Sequence, residues 1–240
     1  MNGGEIIKKF FLIVFLLNVI FIHSVYASEV YYKNSNDVAF SKCEYDFISN
    51  FTWEGFQTSM TSEDFSNIFR YVDCNNVIES DFNSVSTFGT IHVTQNKSLK
   101  ISKSCATSYC SVSTVLKWIN LPTVRSYDLI GVYFRNTSLE NNGVITYVNN
   151  SPASEIKRTN NGFGVSVKLP TGNNAISVTQ IFTVKKTGTV YASYQHAVRS
   201  VTLATSKKYS ISFSGYGSVF LFENGVNSYY DAMGGVNITL

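Results

Sequence analysis

Much of the chain alternates between apolar and polar residues with a period of two. In "GVSVKLP" (164–170), Val165, Val167 and Leu169 share one side. In "AISVTQIFTV" (175–184), Ile176, Val178, Phe182 and Val184 share one side, with Gln180 as the exception. "KKYSISFSG" (207–215) aligns Tyr209, Ile211 and Phe213. This period predicts strands with one buried face. "DLIGVYFRN" (128–136) is apolar nearly throughout and predicts a central strand buried on both faces. The runs are broken by turn chemistry: "LENNG" (139–143), "RTNNG" (158–162), "PTGNN" (170–174), "KKTG" (185–188) and "FENG" (222–225). Short strands at this spacing predict a sandwich or barrel. One segment differs. "TSEDFSNIFRYV" (61–72) places Phe65, Ile68, Phe69 and Val72 at helical spacing, with Thr61 or Ser62 as cap and Glu63 and Asp64 in the first turn. It predicts one short helix. At the other end, Val236, Ile238 and Leu240 alternate with Asn237 and Thr239, which predicts a closing strand at a sheet edge.

The N-terminus changes the setting. Lys8 and Lys9 precede an apolar run over 10–22, and Val25 and Ala27 stand where a signal peptidase reads. Residues 1–27 therefore read as a secretory signal peptide, and the chain as exported. No later segment is long enough to span a bilayer as a helix. Residues 28–240 are read as one β domain, with a two-lobed division near 120–160 as the alternative. The formal net charge is +3, and losing Glu5, Lys8 and Lys9 leaves about +2. So weak a balance, without a basic run, excludes nucleic acid as the expected partner. An even cysteine count in an exported chain predicts two disulfides. Short loops favour Cys43–Cys74 and Cys105–Cys110. A metal site would want C-x-x-C spacing and nearby histidines, which are missing, so neither metal nor cofactor is expected.

Catalytic signatures are scarce. There is no G-x-S-x-G elbow and no H-E-x-x-H motif. His92 and His196 both sit in strand-like contexts and read as satisfied strand histidines. "GFG" (162–164) and "GYG" (215–217) read as strand ends or bulges. The expectation is a binding protein rather than an enzyme, with an exported hydrolase using a converging carboxylate pair as the third reading. Trp53 and Phe56, among polar residues in "NFTWEGFQ", are candidates for stacking on a sugar, as are Tyr229 and Tyr230 in "NSYYD". Trp118, among Val115, Leu116 and Ile119, reads as core. N-x-[ST] sequons occur at Asn50, Asn96, Asn136, Asn149 and Asn237.

Export, all-β patterning, a wide-spaced N-terminal cysteine pair, few charges and the closing strand together resemble the subunits and tip adhesins of chaperone–usher fimbriae. The stretch "GTVYASYQHAVRSVTLA…GVNITL" carries most of the likeness. The resemblance implies an immunoglobulin-like, pilin-type sandwich completed by a strand from a periplasmic chaperone and then from another fimbrial subunit. Val236, Ile238 and Leu240 would then border an acceptor groove, with no partner needed in their own chain. It further implies passage through the periplasm to a fimbrium or the cell surface, and attachment to a host glycan or protein receptor. The poorly alternating segment before Cys43 makes a weak donor strand, which favours a tip adhesin. A self-contained secreted lectin or toxin-binding module is the alternative.

Overall fold

The computed structural model describes residues 30–51, 56–69, 90–105, 107–149, 151–153, 155–172, 175–213, 218–231 and 235–240. Residues 1–27, read from the sequence as a signal peptide, and Cys74 lie outside them. In chain order, a small hairpin, β1 (Tyr32–Lys33) and β2 (Ala39–Phe40), leads into helices α1 (Lys42–Phe51), α2 (Phe56–Ser59) and α3 (Ser62–Phe69). Strands β3 (Thr90–Val93), β4 (Lys97–Cys105), β5 (Tyr109–Trp118), β6 (Tyr127–Arg135) and β7 (Leu139–Val148) follow. Then come β8 (Ser151–Pro152), β9 (Ile156–Thr159), β10 (Gly162–Lys168), β11 (Ser177–Lys185) and β12 (Thr189–Gln195). Helix α4 (Leu203–Ser206), β13 (Tyr209–Ile211), β14 (Phe220–Phe222) and β15 (Val236–Thr239) complete the order. None of the described helices is long and apolar enough to cross a membrane.

Two antiparallel sheets form the sandwich. One runs β15-β12-β6-β10-β9, the other β3-β4-β5-β11-β7-β8. Strands on both sides of residues 136–155 pair directly: β6 with β10 and β12, and β5 with β11. Their inner faces supply the main core, including Leu99, Leu116, Ile130, Val132, Val165, Val178, Phe182 and Val190. Each comes from the apolar phase of its strand, which is why a period of two specifies this packing. Gln180 keeps that phase and is fully buried; its Oε1 accepts from Thr114 Oγ1 at 3.2 Å, so the polar exception is paired within the core.

Both outer faces are partly covered. The N-terminal hairpin and helices bring Val38, Phe40, Phe47, Ile48 and Met60 onto Tyr147 and Ile181. On the other sheet, Tyr209, Ile211, Val219 and Phe220 pack over Leu129 of β6. Strand β6 is therefore buried on both faces, as its apolar run predicts. The glycine of "GFG" at 164 lies inside β10, not at a strand end. A Cβ there would stand 2.4 Å from the Tyr209 hydroxyl, so the absent side chain is what admits the aromatic layer.

Two differences from the sequence expectation have physical causes. First, two helices, α1 and α2, precede the predicted one. Ser41 and Glu44 form a reciprocal capping box, with Ser41 N–H donating to Glu44 Oε2 at 2.7 Å, and Phe47 and Ile48 of α1 are buried. The predicted helix is α3, capped by Thr61 through the Asp64 N–H at 3.2 Å. Second, "LENNG" is not a turn but part of β7. Register with β11 jumps from Val144↔Phe182 to Leu139↔Val184, so the polar residues are taken up in a bulge.

Cys105 and Cys110 face each other across the β4–β5 hairpin and are disulfide-bonded, with Cα atoms 4.0 Å apart. Cys43 is also disulfide-bonded. The closing strand has a partner in its own chain: Thr189↔Thr239, Val190↔Ile238 and Ala192↔Val236 join β15 to β12. Val236 and Ile238 are buried in the main core and Leu240 packs against it. The other side of β15 is met by side chains. Thr90 Oγ1 accepts from Asn237 N–H at 3.0 Å and donates to Asn237 C=O at 2.6 Å, and Lys103 Nζ reaches Thr239 C=O at 2.5 Å.

Candidate ligand pocket at one end of the sandwich

At one end of the sandwich the inner faces turn polar. Lys97 opens β4, Trp118 closes β5, Asp128 lies at the start of β6, and Tyr194 and His196 lie at the end of β12. Each shares the phase of the core residues on its strand, so strand geometry delivers all five between the sheets.

Asp128 is fully buried. Its carboxyl accepts from the Tyr194 hydroxyl and from Ala197 N–H at 2.9 Å, and both its oxygens lie 3.0 Å from His196 Nδ1. Burial raises its pKa above the ordinary carboxyl value, against the opposing pull of His196, Tyr194 and Ala197. Burial, with the neighbouring Asp128, holds the Tyr194 hydroxyl well above the usual phenol range. Trp118 Nε1 donates to Tyr194 Oη at 3.3 Å, and the Trp118 ring stands edge-on to His196 at 4.8 Å. With Nδ1 held against Asp128, the His196 ring lines the cavity.

The second element is an ion pair. Lys97, 5% exposed at its side chain, pairs with Asp231, which is 32% exposed. Its ammonium lies 5.1 Å from the centroid of Trp118 and 5.6 Å from that of Tyr194. Asp231 Oδ1 also accepts the His196 backbone N–H at 2.7 Å, so the pair and the histidine are locked together.

Above this floor is an open cavity of about 500 Å³. Its rim combines Thr94, Asn96, Asn120 and Thr123 with Leu121, Pro122 and Val198. The rim is built, not loose: Ile119 and Asn120 N–H donate to Asn96 C=O at 2.7 and 3.1 Å. Arg125 ties the loop through Pro122 C=O at 2.7 Å and Pro170 C=O at 3.0 Å. Hydroxyl and amide groups beside an aromatic ring suit a polar ligand with an apolar face.

Of the sequence-predicted candidates, the described ones, Tyr229 and Tyr230, lie away from the cavity. Trp53 and the Phe56 side chain lie outside the described residues. Tyr230 is buried, stacked on Phe222 at 4.9 Å, and donates to Tyr127 C=O at 3.1 Å. The Tyr229 ring lies under Arg199 at 4.8 Å. Neither lines the cavity. Trp118, expected in the core, is half-buried at the cavity wall, and His196 is a member of the polar floor. His92 lies on edge strand β3. Among the described residues, His, Cys, Asp and Glu form no group able to hold a metal ion.

No protein-family model matches the chain, and no curated protein matches it. Among solved structures there is a similarity to the pilus backbone protein RrgB of Streptococcus pneumoniae, at 12% identity and a TM-score of 0.28. It covers 37% of this chain and 25% of that one. So partial an overlap carries no statement about fold or function.

Proposed function

We propose that the chain is an exported recognition protein of the adhesin or lectin kind, which binds a hydroxyl-rich surface ligand, a host glycan, in the cavity above Trp118 and His196. The observation that carries this reading is a rigid rim of amide and hydroxyl side chains around an aromatic wall. It acts as a binder, with Asp128 holding the His196 ring in place at the floor of the cavity. A glycan array probed with the exported chain tests this. Thr123 is exposed on the rim, outside the buried network. Thr123→Trp should fill the cavity and abolish array binding with the melting temperature unchanged. Retained binding by a folded Thr123→Trp variant would remove the pocket from the reading.

A second reading, assembly as a fimbrial subunit by donor-strand complementation, is favoured by the place of β15 at a sheet edge. In that reading a periplasmic chaperone, and then a neighbouring subunit, displaces the Thr90 and Lys103 contacts and pairs with β15. Co-expression with a cognate chaperone separates the two. A chain that accumulates as a stable monomer without a chaperone is self-contained.

A further inference from the structure

The end of the sandwich opposite the pocket is basic. Lys103 nears the end of β4, Arg135 closes β6, Lys185 closes β11, and Lys186 lies in the turn to β12. Along β4 this end is about 20 Å from Lys97. Glu140, on β7, is the carboxylate nearest to it in sequence among the described residues.

The turns carrying these cations are pinned to one another. Thr137 Oγ1 donates to Lys185 C=O at 2.8 Å, and Thr187 Oγ1 to Asn136 C=O at 2.9 Å. Lys186 N–H donates to Ser108 C=O, and Leu240 N–H to Gly188 C=O, both at 2.9 Å. Gly188 has a φ of 78°, and a Cβ on it would stand 2.1 Å from Arg135 C=O, so the two turns press together where only glycine fits. Lys103 is held by Thr239 C=O at 2.5 Å. The segments that carry these cations are thus held together at one end. Burial, and then the charge of Lys186, lowers the Lys103 pKa. An anion at this end would relieve that repulsion.

We propose that this basic end is a second binding surface, which takes a chain of anionic groups: a sulfated polysaccharide. The cations come from three backbone segments spread across the tip, which suits a polymer of anions better than a single phosphate. A lipid surface fits less well. Among the described residues, the exposed large apolar ones are Val30, Tyr31, Ile91, Val93, Ile119, Leu121, Val198 and Leu221, and none lies on β4, β6, β11 or the turn to β12.

The probe is a heparin oligosaccharide, titrated into the full exported chain at two salt concentrations. Wild type should bind, with affinity falling steeply as salt rises. Arg135→Gln/Lys185→Gln/Lys186→Gln should bind at least about tenfold more weakly with an unchanged melting temperature, these being exposed side chains. Lys100→Gln/Lys117→Gln/Lys208→Gln removes the same charge elsewhere and should stay within about twofold of wild type. Thr123→Trp should bind heparin normally, so loss of the pocket reading would leave this one standing. Equal loss in both triple variants would reduce the effect to net charge and overturn the proposal. So would binding to phosphatidylglycerol vesicles with none to heparin, or no binding at low salt.

Discussion

At the scale of single residues, the Lys97–Asp231 pair is unequal, and the inequality has a consequence. Lys97 is almost wholly enclosed, whereas Asp231 keeps contact with water. Removing the acid strands a buried ammonium; removing the amine leaves a carboxylate that water can solvate. Asp231→Asn should therefore cost about 3–5 kcal/mol, and Lys97→Met about 1 kcal/mol or less. Urea unfolding of both variants checks the order, and equal losses would refute it. Asp128 makes a prediction about pH. Its folded pKa is raised by burial, so the folded state holds this proton after the unfolded state has released it. Its contribution to stability is present below the unfolded carboxyl value, about 3.9, and is lost as pH rises through the folded pKa. The stability of wild type relative to Asp128→Asn should thus decline as pH rises across that window, measured by urea midpoints from acid to neutral pH. A difference that stays flat or grows would show that the hydrogen bonds outweigh burial. These residues were partly legible in the sequence. Lys97 shares the phase of Leu99 and Ile101, and Asp128 that of Ile130 and Val132, so each stands as a charge at a core position. What no spacing in the chain shows is that strands distant in sequence bring them to one end.

At the scale of elements, alternation predicts β10 and β11 because their inner faces are filled almost wholly by apolar residues, with Gln180 as the polar exception. Strand β6 is marked instead by an unbroken apolar run, and it is buried on both faces. The short elements were less legible for a definite reason. Helix α1 is marked by the Ser41–Glu44 capping box more than by its apolar spacing, and the bulge in β7 has the composition of a turn. The candidate tyrosines were judged by turn-like neighbours, whereas Tyr230 is held by stacking on Phe222, a contact set by tertiary packing. The closing strand gives the prediction proper to this scale. Val236→Asp or Ile238→Asp places a charge in the main core, and loses burial of about 1.5–3 kcal/mol before the desolvation cost is added. Asn237→Asp, on the solvent side of the same strand, should change stability by about 0.5 kcal/mol or less. Thermal unfolding of the three single variants tests the split, and three equal losses would show that side-chain direction does not govern this strand.

At the scale of the whole molecule, the sandwich keeps its two ends apart. The pocket gathers paired charges and fixed amides; the opposite tip gathers unlike turns bearing like charges. The core between them is apolar apart from the paired Gln180 and Thr114. Thr123→Trp and Arg135→Gln/Lys185→Gln/Lys186→Gln should therefore combine additively in thermal stability to within about 0.5 kcal/mol. A larger deviation would reveal coupling through the core. The seam at Thr90 has a different consequence, one for descent. A sheet edge closed by one hydroxyl and one amine is closed by chemistry that two substitutions erase. Thr90→Val with Lys103→Met would leave the backbone of Asn237 and Thr239 bare along a flat margin. In a lineage of such chains, two codons separate an edge whose backbone is covered from one whose backbone is bare.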